Sequence, residues 1–372
     1  MRFIRTSLSA AALALMAGGA AAQSSVTLYG VVDVFGQYLH NGGRTNSFSE
    51  RSGGNTGSMF GLKGSEDLGN GLKAVFDVET GFNVNNGALF ADTTALFYRQ
   101  AWVGLAHEKY GTLTFGRQYQ PTFWIVYPTD PFRGNEVLSP LSASLLAVDH
   151  NTLATQYVTG RTSNSVMYRS PNLAGFQLYA MYAFAATVTQ PVPQTSGNTL
   201  DLGLSYSGYG LYAGLAYQYQ HPGTARISVL PAALNLLGTE HYTGALGYRI
   251  GIVNLQFNYG YNKPHDAAAG SMAALIGAGK SYSVMELGAT IQATPADTIE
   301  IAGFQRNVRG AHDNTPGVQI GVDHSISKRT AFYARAGYMK NNGTATMSWP
   351  GVSVTAPDTK QVLAVVGMTH RF

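Results

Sequence analysis

Alternation of apolar and polar residues with a period of two dominates this chain, in stretches of about ten residues. Leu200, Leu202 and Leu204 fall on one face of such a stretch, and Asp201 and Ser205 fall on the other. The pattern restarts after a Gly-rich turn in LYAGLAYQYQ and returns in VNLQFNYGY. Because successive side chains of a β-strand point to opposite faces, this period predicts strands rather than helices. The sequence therefore predicts an all-β fold built from hairpins.

Connections between the predicted strands alternate between short turns and longer segments. The short turns lie at residues 66–71, 107–111, 171–175, 207–210, 249–252, 294–297 and 327–330. The longer connections lie around residues 39–57, 83–95, 118–160, 185–198, 220–239, 262–281, 307–316 and 340–358. These connections predict about sixteen antiparallel strands in one domain, with both chain ends on the side of the short turns.

Composition and strand length favour a barrel that crosses a membrane. Charged residues make up only 12% of the chain, and cysteine is absent although the first residues predict export from the cytoplasm. Strands of ~9–11 residues match the thickness of a bilayer, whereas no segment beyond the first residues approaches ~18 continuous apolar residues. Only helices and closed barrels satisfy every backbone polar group in hydrocarbon, so we expect a transmembrane antiparallel β-barrel. Its apolar faces would point outward, an inversion that periodicity alone does not establish.

The first 22 residues have the layout of a secretory signal peptide. Arg2 and Arg5 precede a short apolar stretch, and small residues follow up to Ala22. We predict cleavage after Ala22, which leaves residues 23–372 as a single barrel domain in the cell outer membrane. A membrane-anchoring helix is the alternative, but the apolar run is short for one. Without Arg2 and Arg5 the chain carries 22 basic and 20 acidic side chains, and this near-neutral balance does not favour nucleic-acid binding.

The segment of residues 118–160 is far longer than an ordinary connection. Unstructured loops of this length are uncommon in compact domains and are usually functional. The segment also carries apolar residues that are poorly accommodated in water, namely Trp124, Ile125, Val126, Leu138, Leu141, Leu145 and Leu146. We therefore expect it to fold into the barrel lumen and to bury these residues against the wall.

Several long segments resemble a known family. Among them are SMFGLKGSEDLGNGLKAVFDVETGF, FYRQAWVGLAHEKYGTLTFGRQY and the ending VVGMTHRF. They are similar to the trimeric general porins of Gram-negative outer membranes, in the branch typical of β-proteobacteria. The resemblance implies a homotrimer surrounded by outer-membrane lipid and lipopolysaccharide, and passive diffusion of small hydrophilic solutes and ions. It also implies that residues 118–160 form the pore constriction.

Charged residues on the polar faces are the predicted constriction. In LFYRQAWVGL, Tyr98 and Trp102 are interpreted as outward, which places Arg99 inward. The resemblance places basic constriction residues at Arg99 and Arg161 and a third at Met59, where this chain lacks the charge. The predicted basic wall comprises Arg99, Arg161, Lys63 and Arg169, and the acidic side comprises Glu79 with the loop residues Asp130, Glu136 and Asp149. Which loop carboxylate reaches the pore stays open, and any of these charges could instead be solvated in a wide lumen.

Arg117 shares a predicted outward face with Leu113 and Phe115. A basic side chain toward lipid costs about 2–4 kcal/mol at the bilayer midplane. The alternatives are a bulge or strand end that moves the side chain, a place in the headgroup rim, and a contact with a neighbouring subunit. We favour the trimer contact.

The chain stops on an aromatic residue, Phe372, behind an alternation of His370, Met368 and Val366. Chain ends are usually loose, so an apolar end needs a partner. Pairing of the last strand with the first, VTLYGVVDVF, would remove both edges of the sheet. The resemblance further implies that Phe372 is an assembly signal, read by the outer-membrane assembly machinery.

Enzyme signatures are missing from the sequence. It contains no G-x-S-x-G, H-E-x-x-H or P-loop motif, and its nine histidines lack metal-ligand spacing. We therefore expect a channel rather than an enzyme, with no cofactor and no metal. The alternatives are a channel specific for anionic or less polar solutes, a barrel hydrolase, and a surface role of the long loops in adhesion or immune recognition. Convergence of Arg99, Arg161 and Lys63 would favour anions weakly.

Overall fold

The computed structural model describes residues 25–42, 46–147, 149–185, 197–350 and 356–372, and the backbone of residues 194–195. The predicted signal peptide lies outside the described residues. Within them, antiparallel strands form one large sheet: β1 Ser25–Asn41, β2 Ser47–Ser52, β3 Met59–Gly69, β4 Leu72–Gly81, β5 Gln100–His107, β6 Gly111–Tyr119, β7 Arg161–Arg169, β8 Phe176–Ala183, β10 Thr199–Gly208, β11 Leu211–Gln220, β14 Thr239–Ile250, β15 Val253–Pro264, β16 Tyr282–Gln292, β17 Asp297–Val308, β18 Asp313–Ser325, β19 Thr330–Lys340 and β20 Lys360–Arg371. A separate small sheet contains β9 Gln194–Thr195, β12 Gly223–Ala225 and β13 Leu234–Leu236.

The strands β2 and β3 are two halves of one barrel strand. Both pair with β1, β3 along residues 25–31 and β2 along residues 34–39, and residues 53–58 interrupt them. Counted this way, the described strands form the sixteen-stranded antiparallel barrel that the sequence predicts. The first and last strands close it, because β1 pairs with β20 from Val31 opposite Arg371 to Asn41 opposite Gln361.

The two faces of the wall have the inverted polarity of a membrane barrel. Leu204 and Leu215 are 46% and 67% exposed on the outer face, whereas Asp201 and Gln218 are fully buried on the inner face. The prediction that apolar faces point outward is therefore confirmed. Among the described residues, no helix has the length and hydropathy that a membrane span requires.

All the predicted short turns connect neighbouring strands, but two predicted long connections are wrong. The prediction of a connection at 39–57 fails because β1 continues to Asn41 and β2 occupies 47–52, where SFSERS lacks an apolar alternation. The predicted connection at 307–316 is too long. Strand β17 ends at Val308 and β18 begins at Asp313, so only residues 309–312 lie between them.

Strand β5 has the opposite parity from the one predicted. Val103 is 59% exposed on the outer face, and the Trp102 Nε1 donates to Gln100 Oε1 at 3.1 Å on the inner face. Tyr98, which precedes the strand, is buried. The outward assignment of Tyr98 and Trp102 is therefore wrong, because residues 101–103 are apolar on both faces and do not define a parity.

The connection of residues 120–160 packs against the inner face of the wall. It contains α1 Pro121–Val126 and α2 Pro140–Leu145, and Ser139 caps α2 by accepting from the Ser142 backbone N–H. The Thr122 hydroxyl donates to Asp201 at 2.8 Å, and the Thr129 hydroxyl donates to Asn258 at 2.6 Å. These contacts support the expectation that the connection folds inward.

Four apolar clusters hold this connection in place. Those around Ile125 and Leu141 pack it against β8, β11 and β14 and against β16 and β17, respectively. Two larger clusters complete its packing. One joins it to the inner side of β1, β17, β19 and β20 and to a second connection, through Phe35, Val137, Leu138, Phe304, Trp349 and Leu363. The other joins Ala154 to residues of β12 and β13 and to the helix α3 Met272–Leu275. The inner space beside β1 and β20 is thereby filled, and open space remains on the side of β3 to β7.

Candidate functional site

Glu136 joins the inner connection to the barrel wall. Its Oε1 lies 2.9 Å from Arg99 Nη1 and 2.8 Å from Arg161 Nη1. Arg99 also forms an ion pair with Glu79 through its Nε. The structure thus brings four of the predicted constriction residues together, and it selects Glu136 from the three acidic loop residues.

Tyr119 completes this cluster and was not predicted. Its hydroxyl accepts from Arg99 Nη2 at 3.1 Å and from Arg161 Nη2, and the Arg161 guanidinium lies 4.2 Å from its ring centroid. The residue ends β6 and pairs with Arg161 at the start of β7. A sequence signal existed, because Tyr119 is the last strand residue before the long connection.

The cluster assembles because four adjacent elements meet at one height of the wall. Glu79 is opposite Gln100 in the β4–β5 pair, and Arg99 immediately precedes β5. Arg99 lies before the strand, so the alternation of β5 does not determine its direction. Its inward position was predicted, but the parity argument used to place it was not valid. We name these five residues, Glu79, Arg99, Tyr119, Glu136 and Arg161, the eyelet cluster.

Electrostatics keep Glu136 ionised. Burial alone would raise the pKa of its carboxyl, but the Arg161 and Arg99 guanidiniums outweigh burial and lower the pKa to about 2. Its side chain is 25% exposed, so one edge of the cluster faces open space. Two guanidiniums and two carboxylates leave the eyelet cluster with almost no net charge.

The other acidic loop candidates are outside this cluster, although Asp130 lines the cavity that adjoins it. Asp130 is buried and its carboxylate accepts from the Phe132 and Gly134 N–H groups and from the Ser139 hydroxyl, at 2.8, 2.6 and 2.6 Å. Burial raises its pKa. Asp149 is buried and accepts from the Asn151 N–H at 2.9 Å. Both carboxylates therefore hold the shape of the connection, and neither contacts the eyelet cluster.

Lys63 and Arg169 are also outside the cluster. The Lys63 Nζ lies 5.0 Å from the Tyr29 ring centroid, opposite Asp77, and the Tyr29 hydroxyl donates to Asp77 at 2.6 Å. Arg169 lies at the other end of β7 from Arg161, with its guanidinium 6.0 Å from the Tyr179 ring centroid. The expected convergence of Lys63 with Arg99 and Arg161 is not observed.

Arg117 lies at a β-bulge. The register between β6 and β7 shifts between Gly116 and Gln118, and Arg117 donates to the Tyr98 carbonyl and, at 3.0 Å, to the Ser163 hydroxyl. Partners within the same chain thus relieve the cost of an outward guanidinium. Contact of Arg117 with another subunit stays a prediction.

Phe372 is fixed at the seam of the barrel. Its backbone N–H and C=O exchange two hydrogen bonds of 3.1 Å with Gly30, and its ring is 45% exposed on the outer face. A side chain at position 30 would overlap this ring and approach the Met59 carbonyl to 2.8 Å. The predicted pairing of the chain ends is confirmed, while recognition of Phe372 during assembly stays a prediction.

A cavity of about 350 Å³ adjoins the eyelet cluster. Charged residues line one part of it, including Arg99, Arg161, Glu79 and Glu136, and Met59 lies on its wall. Aromatic and aliphatic residues from the inner connection line another part. Within the part of the chain that the structure describes, no group of three His, Asp or Glu side chains is arranged to hold a metal ion.

Comparison with known proteins assigns a family to this barrel. The profile of the Gram-negative porins matches residues 9–344. The chain belongs to the Gram-negative porin family. An outer membrane porin protein of Bordetella pertussis is 27% identical over 99% of this porin and 100% of the relative. Outer membrane porin protein 32 of Delftia acidovorans is 26% identical with the same coverage.

The porin fold is shared with solved structures. The anion-selective porin from Comamonas acidovorans superposes with a TM-score of 0.77 at 23% identity, covering 94% of this porin and 100% of that chain. An outer membrane protein of Vibrio cholerae gives 0.63 at 13% identity, covering 94% and 98%. This porin is therefore an outer-membrane channel through which small hydrophilic solutes and ions diffuse.

Proposed function

We propose that the eyelet cluster is the narrowest part of the diffusion path and that Glu136 fixes its width. The observation that carries this proposal is the carboxylate of Glu136 bridging Arg99 and Arg161 at 2.9 and 2.8 Å. A loop tied to two wall residues cannot swing across the pore without breaking both ion pairs. Solutes would be selected by size and charge there, without chemistry and without a cofactor.

Ion preference would come from residues outside the eyelet cluster, because its charges cancel. Arg133 and Arg371 also line the cavity, and neither forms an ion pair within the described residues. Against these two guanidiniums stands the further cavity-lining carboxylate of Asp130, which leaves the path a positive balance, so we propose a moderate preference for anions. The similar porin from Comamonas acidovorans is anion-selective, which supports this direction.

The assembled channel would be a homotrimer in the outer membrane. One of the similar solved structures is described as a trimer form, which supports this assembly. The bulge at Arg117 exposes part of that side chain on the outer wall beside Ser163, a suitable place for contact with a neighbouring subunit. The exposed ring of Phe372 at the barrel seam is available to the assembly machinery, lipid or lipopolysaccharide.

Recording of purified protein in planar bilayers tests the proposal. We expect ion-conducting pores that close in three steps, and a reversal potential in a KCl gradient with the sign of anion preference. Closing in a single step would contradict the trimer, and cation preference would contradict the role of Arg133 and Arg371. Absence of any conductance would contradict the channel itself.

A channel that prefers less polar anions is the second candidate. It is favoured by the aliphatic and aromatic lining of the cavity, which includes Phe123, Tyr127, Leu145 and Leu146. Such a lining lowers the cost of bringing an apolar group into the path. Block of the chloride current by an organic anion would separate this candidate from simple diffusion.

A further inference from the structure

Three aromatic rings form a continuous row along the cavity wall. The Tyr119 and Phe123 rings are stacked with centroids 4.2 Å apart at 20°, and the Phe123 and Tyr127 centroids are 5.3 Å apart at 35°. Phe123 lies in α1, Tyr119 ends β6 before this helix, and Tyr127 directly follows it, so the row runs from the barrel wall along the start of the connection. All three rings line the cavity, and Tyr127 is 39% exposed.

Two arginines flank this aromatic row: Arg161 is beside Tyr119, and Arg133 is adjacent in sequence to Gly134, which packs on the Phe123 and Tyr127 rings. Arg161 lies over the Tyr119 ring, but Glu136 neutralises it. At the other end, Gly134 packs on the row, since an added Cβ there would lie 3.3 Å from the Phe123 ring and 3.4 Å from the Tyr127 ring. The residue before Gly134 is Arg133, which lines the cavity and is exposed. Its side chain forms no hydrogen bond or ion pair within the described residues.

The turn that presents Arg133 is strained and braced. Arg133 has a φ of +56°, a conformation that non-glycine residues rarely adopt. Asp130 holds this turn, because its carboxylate accepts from the N–H groups of Phe132 and Gly134 and its carbonyl accepts from the Arg133 N–H at 3.0 Å. Backbone strain that the surroundings maintain is a feature of ligand sites. The brace therefore fixes an unpaired cation beside the aromatic row.

We propose that this cavity binds aromatic carboxylates on their way through the channel. The aromatic ring of the solute stacks on Phe123 and Tyr127, and its carboxylate pairs with the Arg133 guanidinium. The cavity volume of about 350 Å³ lies within the range of small-molecule sites. This proposal rests on the diffusion function above and names the class of solute that the path retains.

Neighbouring residues favour this class over others. Leu145, Leu146 and Val158 give this cavity an apolar lining in addition to the aromatic row, while polar groups including Asn55, Ser142 and Thr159 also line it. Arg99 and Arg161 are already paired with Glu79 and Glu136, which leaves Arg133 as the guanidinium beside the row for an incoming carboxylate. A small inorganic anion would use Arg133 but gain nothing from the rings.

Block of the chloride current in planar bilayers tests the proposal. The probes are benzoate, cyclohexanecarboxylate, acetate and maltotriose. We expect the half-blocking concentration of benzoate to be about tenfold lower than that of acetate, since stacking and apolar burial add to the charge interaction. Cyclohexanecarboxylate should fall between them, because it is apolar but cannot stack.

Variants assign the effect to the aromatic row and to Arg133. Arg133→Gln should weaken benzoate block about tenfold, and Tyr127→Leu and Phe123→Leu should bring benzoate close to cyclohexanecarboxylate while keeping apolar packing. The matched controls are Arg226→Gln and Tyr110→Leu, which are exposed and do not line the cavity, and they should leave block unchanged. The folded state of each variant is checked by its chloride conductance.

Two results would overturn the proposal while the diffusion function stands. One is equal block by benzoate and acetate in a channel that conducts chloride. The other is block by maltotriose but not by benzoate, which would make the aromatic row a saccharide site. Loss of chloride conductance in the unmodified protein would instead contradict the diffusion function as well.

Discussion

At the scale of single residues, one carboxylate connects the long inner connection to the barrel wall. Glu136 belongs to a connection, and both of its guanidinium partners belong to the barrel wall. Breaking a largely buried pair on one side leaves charge without compensation, which costs more than the pair contributes. The position of the connection should therefore depend on this residue more than on the carboxylates of Asp130 or Asp149.

We predict that Glu136→Gln makes the current noisier and shifts selectivity toward anions. The amide cannot neutralise two guanidiniums, so the path gains one net positive charge. At ~8 Å in water, one charge lowers the energy of chloride and raises that of potassium by about 0.5 kcal/mol each, and this difference of about 1 kcal/mol is roughly a fivefold change in the chloride-to-potassium permeability ratio. Reversal potentials measure the ratio. Glu108→Gln, in an exposed turn, is the control, and an equal shift in both variants would refute the assignment.

The low pKa of Glu136 predicts how the channel responds to acid. The pKa is lowered from 4.5 to about 2, so the brace is fully present above pH 4.5 and is lost as pH falls toward 2. Conductance noise should therefore stay constant between pH 7 and pH 4 and rise below about pH 3. The difference between the unmodified protein and Glu136→Gln isolates this effect, and noise that rises already near pH 5 would contradict it.

At the scale of elements, residues 53–58 are an inward segment within a barrel strand. The Asp33 carboxylate accepts from the N–H groups of Gly54, Asn55 and Thr56, at 2.8, 3.1 and 3.1 Å, and from the Tyr333 hydroxyl at 2.6 Å. Asn135 Nδ2 of the long connection donates to the Gly53 carbonyl at 3.0 Å. The inward segment thus supports the connection from the β1 side.

We predict that Asp33→Ala destabilises the barrel by about 1–3 kcal/mol, because buried donors would lose their acceptor. The temperature at which the folded form disappears, followed by its mobility on SDS gels without boiling, measures the effect. Asp67→Ala, near the exposed end of β3, is the control and should change this temperature little. If Asp33→Ala matched the control, the carboxylate would not be holding residues 53–58.

The inward segment also shows where prediction from sequence stops. Alternation and turns gave the strand number and the seam, because those depend on local periodicity. Arg161 and Glu136 could be proposed from their residue types and the long connection. Residues 53–58 could not, since Asp33 reaches Tyr333 across the barrel seam and no local pattern records that contact. The position of Tyr119 at the end of β6 was recognisable from the sequence, but its contacts with two guanidiniums were not, because Arg99 and Arg161 belong to other elements.

At the scale of the whole molecule, closure depends on the last residue. Phe372 exchanges two backbone hydrogen bonds with Gly30, and its ring covers that glycine. Deletion of Phe372 should lower the amount of folded protein in the outer membrane, while any channels that form keep their conductance. Gly30→Ala should reproduce the defect by displacing the ring. Normal membrane levels together with altered conductance would contradict this division between assembly and permeation.

The charge balance of the whole path is set by few groups, so one added cation should be measurable. Met59 lines the cavity opposite Val31 and Gly81, where the resemblance predicted a basic residue. Met59→Arg adds a positive charge beside an eyelet cluster with almost no net charge, and the chloride-to-potassium permeability ratio should rise about fivefold. Thr93→Arg adds the same charge on an exposed connection away from the cavity and should change the ratio less. An unchanged reversal potential in Met59→Arg would mean that ions pass beyond the reach of position 59, which would place the narrowest point elsewhere than the eyelet cluster.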